Sequence, residues 1–232
     1  MKKISIKKII AASVISLVLI QLVYIAMEPT IVDANTQTAN VVVTLNVTSG
    51  VSISNTTSNL TTMTPNMGVG QHKSIGQSSF IVTTNSATGY TLSMNASTAP
   101  ALKNGAVDSF ADYTPTVVNT PELWSVSSET KEFGYSVYSV LGSDHTTAVG
   151  DVATATWGNK TGTTCGTPGT GVTDATLKYR DFTTSTVQVG SRASVTPVSG
   201  IETFICFGAE ENNVFASAGT YTATITATAT AS

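Results

Sequence analysis

Hydrophobic residues recur at every second position through most of the chain beyond residue 40, a period that predicts strands and not helices. Val41, Val43, Leu45 and Val47 alternate with Val42, Thr44 and Asn46, and Val51-Ser52-Ile53-Ser54 resumes the pattern after the turn-forming pair Ser49-Gly50. Phe80-Ile81-Val82-Thr83-Thr84 and Tyr90-Thr91-Leu92-Ser93-Met94 flank a polar connection, Asn85 to Gly89, that fits a β-hairpin with a longer loop. Further strands are expected at Phe133 to Val140, Ala153 to Trp157, Thr186 to Val189, Ala193 to Thr196, Glu202 to Ala209 and Thr220 to Thr230. In the last of these, Tyr221, Ala223, Ile225, Ala227 and Ala229 share one face, and the threonines at 220, 222, 224, 226, 228 and 230 share the other, toward water.

One helical turn is expected at Pro121 to Val126, where Thr120 can cap and Pro121 suits the first helical position. Two Gly/Thr-rich stretches, 56–76 and 159–173, read as long surface loops. Many short strands over roughly 200 residues suit one antiparallel β-sandwich, Ig-like or fimbrial-like, occupying 35–232. A division near Pro100 or Pro121 is the alternative.

The N-terminus departs from this pattern. Lys2, Lys3, Lys7 and Lys8 precede an uncharged apolar run from Ile9 to Met27, the arrangement of an export signal. Val32-Asp33-Ala34 places small residues where a signal peptidase reads, so residues 1–34 are expected to be a signal peptide cut after Ala34. Retention of the same run as a membrane anchor, lysines inside, is the alternative. With no cysteine near the end of the run and no apolar tail before Ser232, neither lipid attachment nor a C-terminal anchor is expected.

Charge narrows the partners. Four of the 11 Lys+Arg and two of the 14 Asp+Glu fall in the first 34 residues, leaving a net charge of about −5 on the remainder. A mildly acidic domain without a basic cluster argues against nucleic acid, whose binding depends on phosphate neutralisation. It also argues against adsorption to anionic lipid, so the only membrane contact expected is through the N-terminal segment. Only 11% of the chain is charged, against about a quarter in ordinary proteins, so the exterior is expected to be hydroxyl-rich. Cys165 and Cys206 are the only cysteines, and in an exported chain such a pair is expected to form a disulfide.

The closing segment Ala218-Gly219-Thr220-Tyr221-Thr222-Ala223-Thr224-Ile225-Thr226-Ala227-Thr228-Ala229 resembles the last strand of bacterial surface β-sandwiches, namely WxL-type wall-associated domains and the spore coat protein U and fimbrial group. Thr84-Asn85-Ser86-Ala87-Thr88-Gly89-Tyr90-Thr91-Leu92 resembles a T-N-x-x-x-G-Y-T-L segment of exported proteins from candidate-phyla-radiation bacteria such as Saccharibacteria, and Phe133-Gly134-Tyr135-Ser136 is similar to their W-G-Y-S strand. The resemblance implies a non-catalytic surface or appendage domain. Trp124-Ser125-Val126 and Trp157-Gly158-Asn159 are not W-x-L, so wall binding of that kind is not carried over.

Candidate chemistry is sparse. Asp144-His145 can form the orienting half of a triad, yet no nucleophile elbow accompanies it, and His72 and His145 read as loop residues. Glu210, Glu211, Asn212 and Asn213 make an oxygen-rich run that calcium would accept, without the D-x-D-x-D-G spacing of a dedicated loop. Trp124, Tyr135, Tyr138, Trp157 and Tyr179 are candidates for stacking on sugar rings if exposed, or core residues if not. Asn46, Asn55, Asn59, Asn95 and Asn159 match the N-glycosylation acceptor pattern. The expected role is a structural or adhesive domain without a cofactor, facing a cell-wall or host-surface glycan or protein. A pilin-like subunit that self-assembles by strand addition, a carbohydrate-binding module and a secreted hydrolase are the alternatives.

Overall fold

In the computed structural model, which describes residues 13–19, 21, 44–55, 61–139, 154–158, 160, 162–167 and 169–232, most of the period-two segments beyond residue 50 contain strands. The chain falls into two units, residues 1–46 and 47–232. Of the first, residues 13–19 and 21 are helical. Among the described residues no helix is long and apolar enough to cross a membrane. The remainder of the expected signal segment, its cleavage site included, lies outside the described residues.

The second unit is all-β and almost entirely antiparallel. A five-stranded sheet has the order β1 (Val51–Asn55), β2 (Lys73–Thr84), β13 (Ile201–Asn212), β8 (Thr130–Tyr138), β6 (Ala111–Asp112), with β6 parallel to β8. A three-stranded sheet has the order β12 (Val187–Arg192), β3 (Tyr90–Ala96), β14 (Ile225–Ala231). Three two-residue ribbons pair β4 (Lys103–Asn104) with β5 (Asp108–Ser109), β7 (Glu122–Leu123) with β11 (Lys178–Tyr179), and β9 (Gly166–Thr167) with β10 (Val172–Thr173).

Alternation explains which faces meet. Tyr90, Leu92, Met94 and Ala96 of β3 are buried while Thr91, Ser93 and Asn95 between them are half-buried. They join Val82 of β2, Phe133, Tyr135 and Val137 of β8, Val189 of β12 and Ile205 and Ala209 of β13 in one apolar cluster drawn from both sheets. Each large side chain so buried stabilises by roughly 1.5–3 kcal/mol relative to exposure. β14 contributes Ile225, Ala227 and Ala229 at the margin, with Thr226, Thr228 and Thr230 exposed as the alternation predicts.

The expected hairpin does not form. Strands 80–84 and 90–94 lie in different sheets, because both edges of β2 are already taken by β1 and β13. Residues 85–89 therefore arch from one sheet to the other. Gly89, at φ +81°, permits the arch: a Cβ there would lie 1.9 Å from the Arg192 carbonyl oxygen.

Other expectations change in detail. The segment expected as a strand at Ala153 to Trp157 is a helical turn, Thr154–Trp157, where the Trp157 ring packs against Tyr135 instead of joining a ladder. Ala193 to Thr196 is irregular, since β12 ends at Arg192 and Thr196 instead bonds Thr84 through both backbone and hydroxyl. The turn expected at Pro121 to Val126 contains the extended pair β7, held by β11. β2 begins seven residues before Phe80, so it occupies the end of the expected 56–76 loop, while 159–173 carries β9 and β10. Residues 44–50 carry no strand, and 41–43 lie outside the described residues.

On the outer face of the central strands, Gly134 and Gly208 are directly opposed. Above them the Trp124 ring lies 3.1 Å and 3.3 Å from where Cβ atoms would stand, and a Cβ on Gly134 would also meet Tyr113 Cβ at 2.6 Å. The two glycines thus form a slot for the indole. Gly134→Ala is expected to destabilise by about 1–3 kcal/mol through overpacking, measured as a lowered urea midpoint with unchanged slope.

Candidate functional site

β13 and β8 together present four side-chain rows on the face away from the main core: Glu210 opposite Glu132, Gly208 opposite Gly134, Cys206 opposite Ser136 and Phe204 opposite Tyr138. A second cluster covers them, formed by Tyr113, Tyr138, Cys165, Leu177, Tyr179, Phe204 and Cys206 with Trp124 against it. This layer comes from segments around 113–126 and 162–180, which would be open loops without it.

The disulfide between Cys165 and Cys206 is formed, with Cα atoms 5.3 Å apart, in the usual range for such bonds. Gln77 of β2, in register with Cys206, reinforces it from the next strand. Its Oε1 accepts from Cys165 N at 3.0 Å and its Nε2 donates to Thr163 O at 2.7 Å. The segment is therefore clamped covalently to β13 and by two hydrogen bonds to β2.

Of the candidate aromatics, Tyr135, Tyr138, Trp157 and Tyr179 are all buried. Tyr135 packs on Phe182 and Trp157 in the main core, and Tyr138 stacks on Phe204 in the outer cluster. Burial pushes the Tyr135, Tyr138 and Tyr179 phenols up, keeping them protonated. Trp124 is half-buried, stacked on Tyr113 at 4.8 Å and edge-on to Tyr179 at 5.1 Å. Its Nε1 donates to Glu210 Oε2 at 2.7 Å. The five are divided between two clusters, so they present no common stacking face.

The carboxylates near Trp124 are each engaged. Glu210 also meets Lys73 Nζ at 3.0 Å. Glu132 accepts from Thr114 N at 3.2 Å, and burial first, then the charge of Glu210, pushes its carboxyl up. Tyr113 donates to Leu123 O at 3.0 Å, and burial with nearby Glu122 and Glu132 pushes it up to about 12.

Glu210, Glu211 and Asn212 do not converge as a calcium site. Successive residues on β13 face opposite ways: Glu210 joins Trp124 and Lys73, Glu211 accepts from Ala216 N at 2.7 Å, and Asn212 Nδ2 donates to Val126 O. Among the described residues no group of three or more His, Cys, Asp or Glu is placed to hold a metal. His72 Nδ1 lies 3.2 Å from Glu211 Oε1 and its ring 5.5 Å from that of Phe215. Asp144 and His145 lie outside the described residues.

Among the described residues the most connected carboxylate is Asp108, which stands close to Asp112 in the sequence. It receives hydrogen bonds from Lys131 Nζ of β8, Tyr221 OH at 2.5 Å, and the backbone N of Ser217 and Ser109 at 2.8 Å each. Asp108 thus ties β5 to both the large sheet and the lead-in to β14. No family description, curated protein or solved structure matches this chain.

The Lys131 ammonium, then the Tyr221 hydroxyl, hold the Asp108 carboxyl well below its ordinary value. Its contribution is fully present above an unfolded pKa of about 3.9 and is lost as pH falls from there through the depressed folded value. Asp112 and Glu132, pushed up by burial, act with the opposite sign. Asp108→Asn is expected to lower the melting temperature at pH 7 and to flatten the decline between about pH 4 and pH 2. A variant whose acid limb parallels the parent's would contradict this role.

Proposed function

We propose that this is an exported, non-catalytic β-sandwich protein displayed outside the cell, whose work is structural or adhesive. The Cys165–Cys206 bond carries the reading, because structural disulfides form and persist in oxidising compartments and are rare in the reducing cytosol. The basic and apolar N-terminal sequence supplies a route there. Two sheets contributing to one apolar cluster support the sandwich.

A structural role is favoured by what the candidate chemical groups do. His72, Glu210 and Glu211 are occupied with one another's elements, and four of the five aromatics serve as core. The outward face of β3 and β14 is mostly threonine and serine, suited to a broad, weakly ionic contact with a wall or host-surface glycan or protein.

Fractionation of the native cells tests the compartment, with intact mass and thiol labelling on the recovered protein. The expected result is a surface or extracellular chain, lacking residues 1–34 and two mass units lighter than its reduced form by roughly the mass of the two lost hydrogens. Cytosolic protein with both thiols free would sink the proposal. The bond closes a span of 41 residues. Replacing both cysteines by serine is expected to cost about 4 kcal/mol in the chain-entropy account and to open 160–175 to proteolysis.

A further inference from the structure

Strand edges are where a sheet can accept a foreign strand, and proteins usually blunt them with charge, proline or bulges. The edge at β12 carries a register shift between Gln188 and Gly190 and ends in Arg192. On the far side of the large sheet, Arg180 continues the pairing along β8 beyond β6 by bridging Tyr135. The edge at β14 has none of these devices. From Thr220 to Ser232 the sequence contains no Asp, Glu, Lys, Arg, His or Pro.

Among the described residues β14 pairs with β3 alone. The phase of that ladder is fixed at both ends: Ser97 N donates to Thr224 O, and Ser232 N donates to Gly89 O. Even-numbered residues therefore turn their backbone groups toward β3, and Ile225, Ala227, Ala229 and Ala231 turn theirs outward. The apolar face of this strand is only half-buried, and so is β1, the uncharged edge strand that runs alongside it.

We propose that β14 pairs antiparallel, across a two-fold axis, with β14 of a second copy of this chain. With the axis through Thr228, each Thr228 faces its counterpart and Thr226 faces Thr230, all on the exposed side. Ala227 faces Ala229 and Ile225 faces Ala231 on the side that leads to the core, and these are the residues whose backbone groups meet no strand partner among the described residues. Every position thus meets its own kind, hydroxyl with hydroxyl and apolar with apolar, as cross-strand pairing favours. A second copy is the occupant because the strand complements itself in this register and offers no charge by which to select a different partner. The result is a continuous six-stranded sheet in the order β12-β3-β14-β14-β3-β12. It goes beyond surface display and does not depend on the compartment.

Sedimentation velocity on the disulfide-bonded protein, in the form its cells make, is expected to show a reversible monomer–dimer equilibrium at concentrations up to about 100 μM, where even weak pairs associate. Ala229→Pro removes an outward N–H without touching the β3 ladder and is expected to abolish the dimer. Thr228→Lys, on the exposed face, sets two like charges opposite each other and is expected to weaken it about two- to fivefold with the melting temperature unchanged. Combining Thr226→Lys with Thr230→Glu sets opposite charges across the axis, and is expected to preserve a dimer that becomes sensitive to salt. A protein that stays monomeric at every concentration, or a dimer that Thr228→Lys and Ala229→Pro both leave intact, overturns the proposal.

Discussion

β13 is buried on both faces for most of its length, and that constraint organises the rest of the molecule. One face adds Ile205 and Ala209 to the apolar cluster that the three-stranded sheet shares. The other needs a cover of its own, because Phe204 and Cys206 of β13 and Tyr138 of β8 would otherwise present an apolar patch to water. The chain supplies that cover with ribbons only two residues long per strand, which carry too few ladder hydrogen bonds to stand alone. Besides the backbone bridge between Arg180 and Tyr135, side-chain chemistry holds them down: the disulfide at Cys206, the two Gln77 hydrogen bonds beside it, and the Trp124 indole seated on Gly134 and Gly208.

These three restraints are interdependent in geometry. Cys206 and Gly208 stand on the same face of β13, two residues apart, and their β8 partners Ser136 and Gly134 keep the same spacing. A side chain at either glycine would lift Trp124, and with it Tyr113 and Tyr179 that lean on the indole. The carboxylates Glu210 and Glu132 close the end of the row, where the indole N–H, Lys73 and Thr114 N satisfy them. Placing the acids at the rim and the sulfur at the centre keeps charge where partners or water can reach it.

How much of this could be read from the sequence depends on the range of the interaction. Alternation is local, so the long strands, the inward face of β3 and the outward threonines of β14 are legible in the residues themselves, whereas 153–157 and 193–196 alternate without joining a ladder. The disulfide was legible because there were only two cysteines to pair. The arch at 85–89 was not, since a hairpin and an arch share the same turn residues, and only competition from β1 and β13 for the edges of β2 decides between them. The glycine slot was equally hidden: Gly134 and Gly208 are 74 positions apart in sequence and acquire meaning only through the β8–β13 register. The role of Asp108 as a junction is hidden in the same way, because three of its four donors come from distant parts of the chain.

Sparse charge links the interior to the edges. The described ion pairs Lys73–Glu210, Lys131–Asp108 and Lys160–Asp174, with His72–Glu211, each fasten one segment to another, while Arg180 meets its own neighbour Asp181. With 11% of the chain charged and much of that committed to such ties, little remains to guard the sheet margins. Solubility then rests on threonine and serine hydroxyls, which hydrate a face well but do not repel an approaching strand. A bulge and an arginine are spent on β12, and β14 is left uncharged and regular, so the composition that builds the hydroxyl-rich exterior is the same one that leaves this strand without an edge guard.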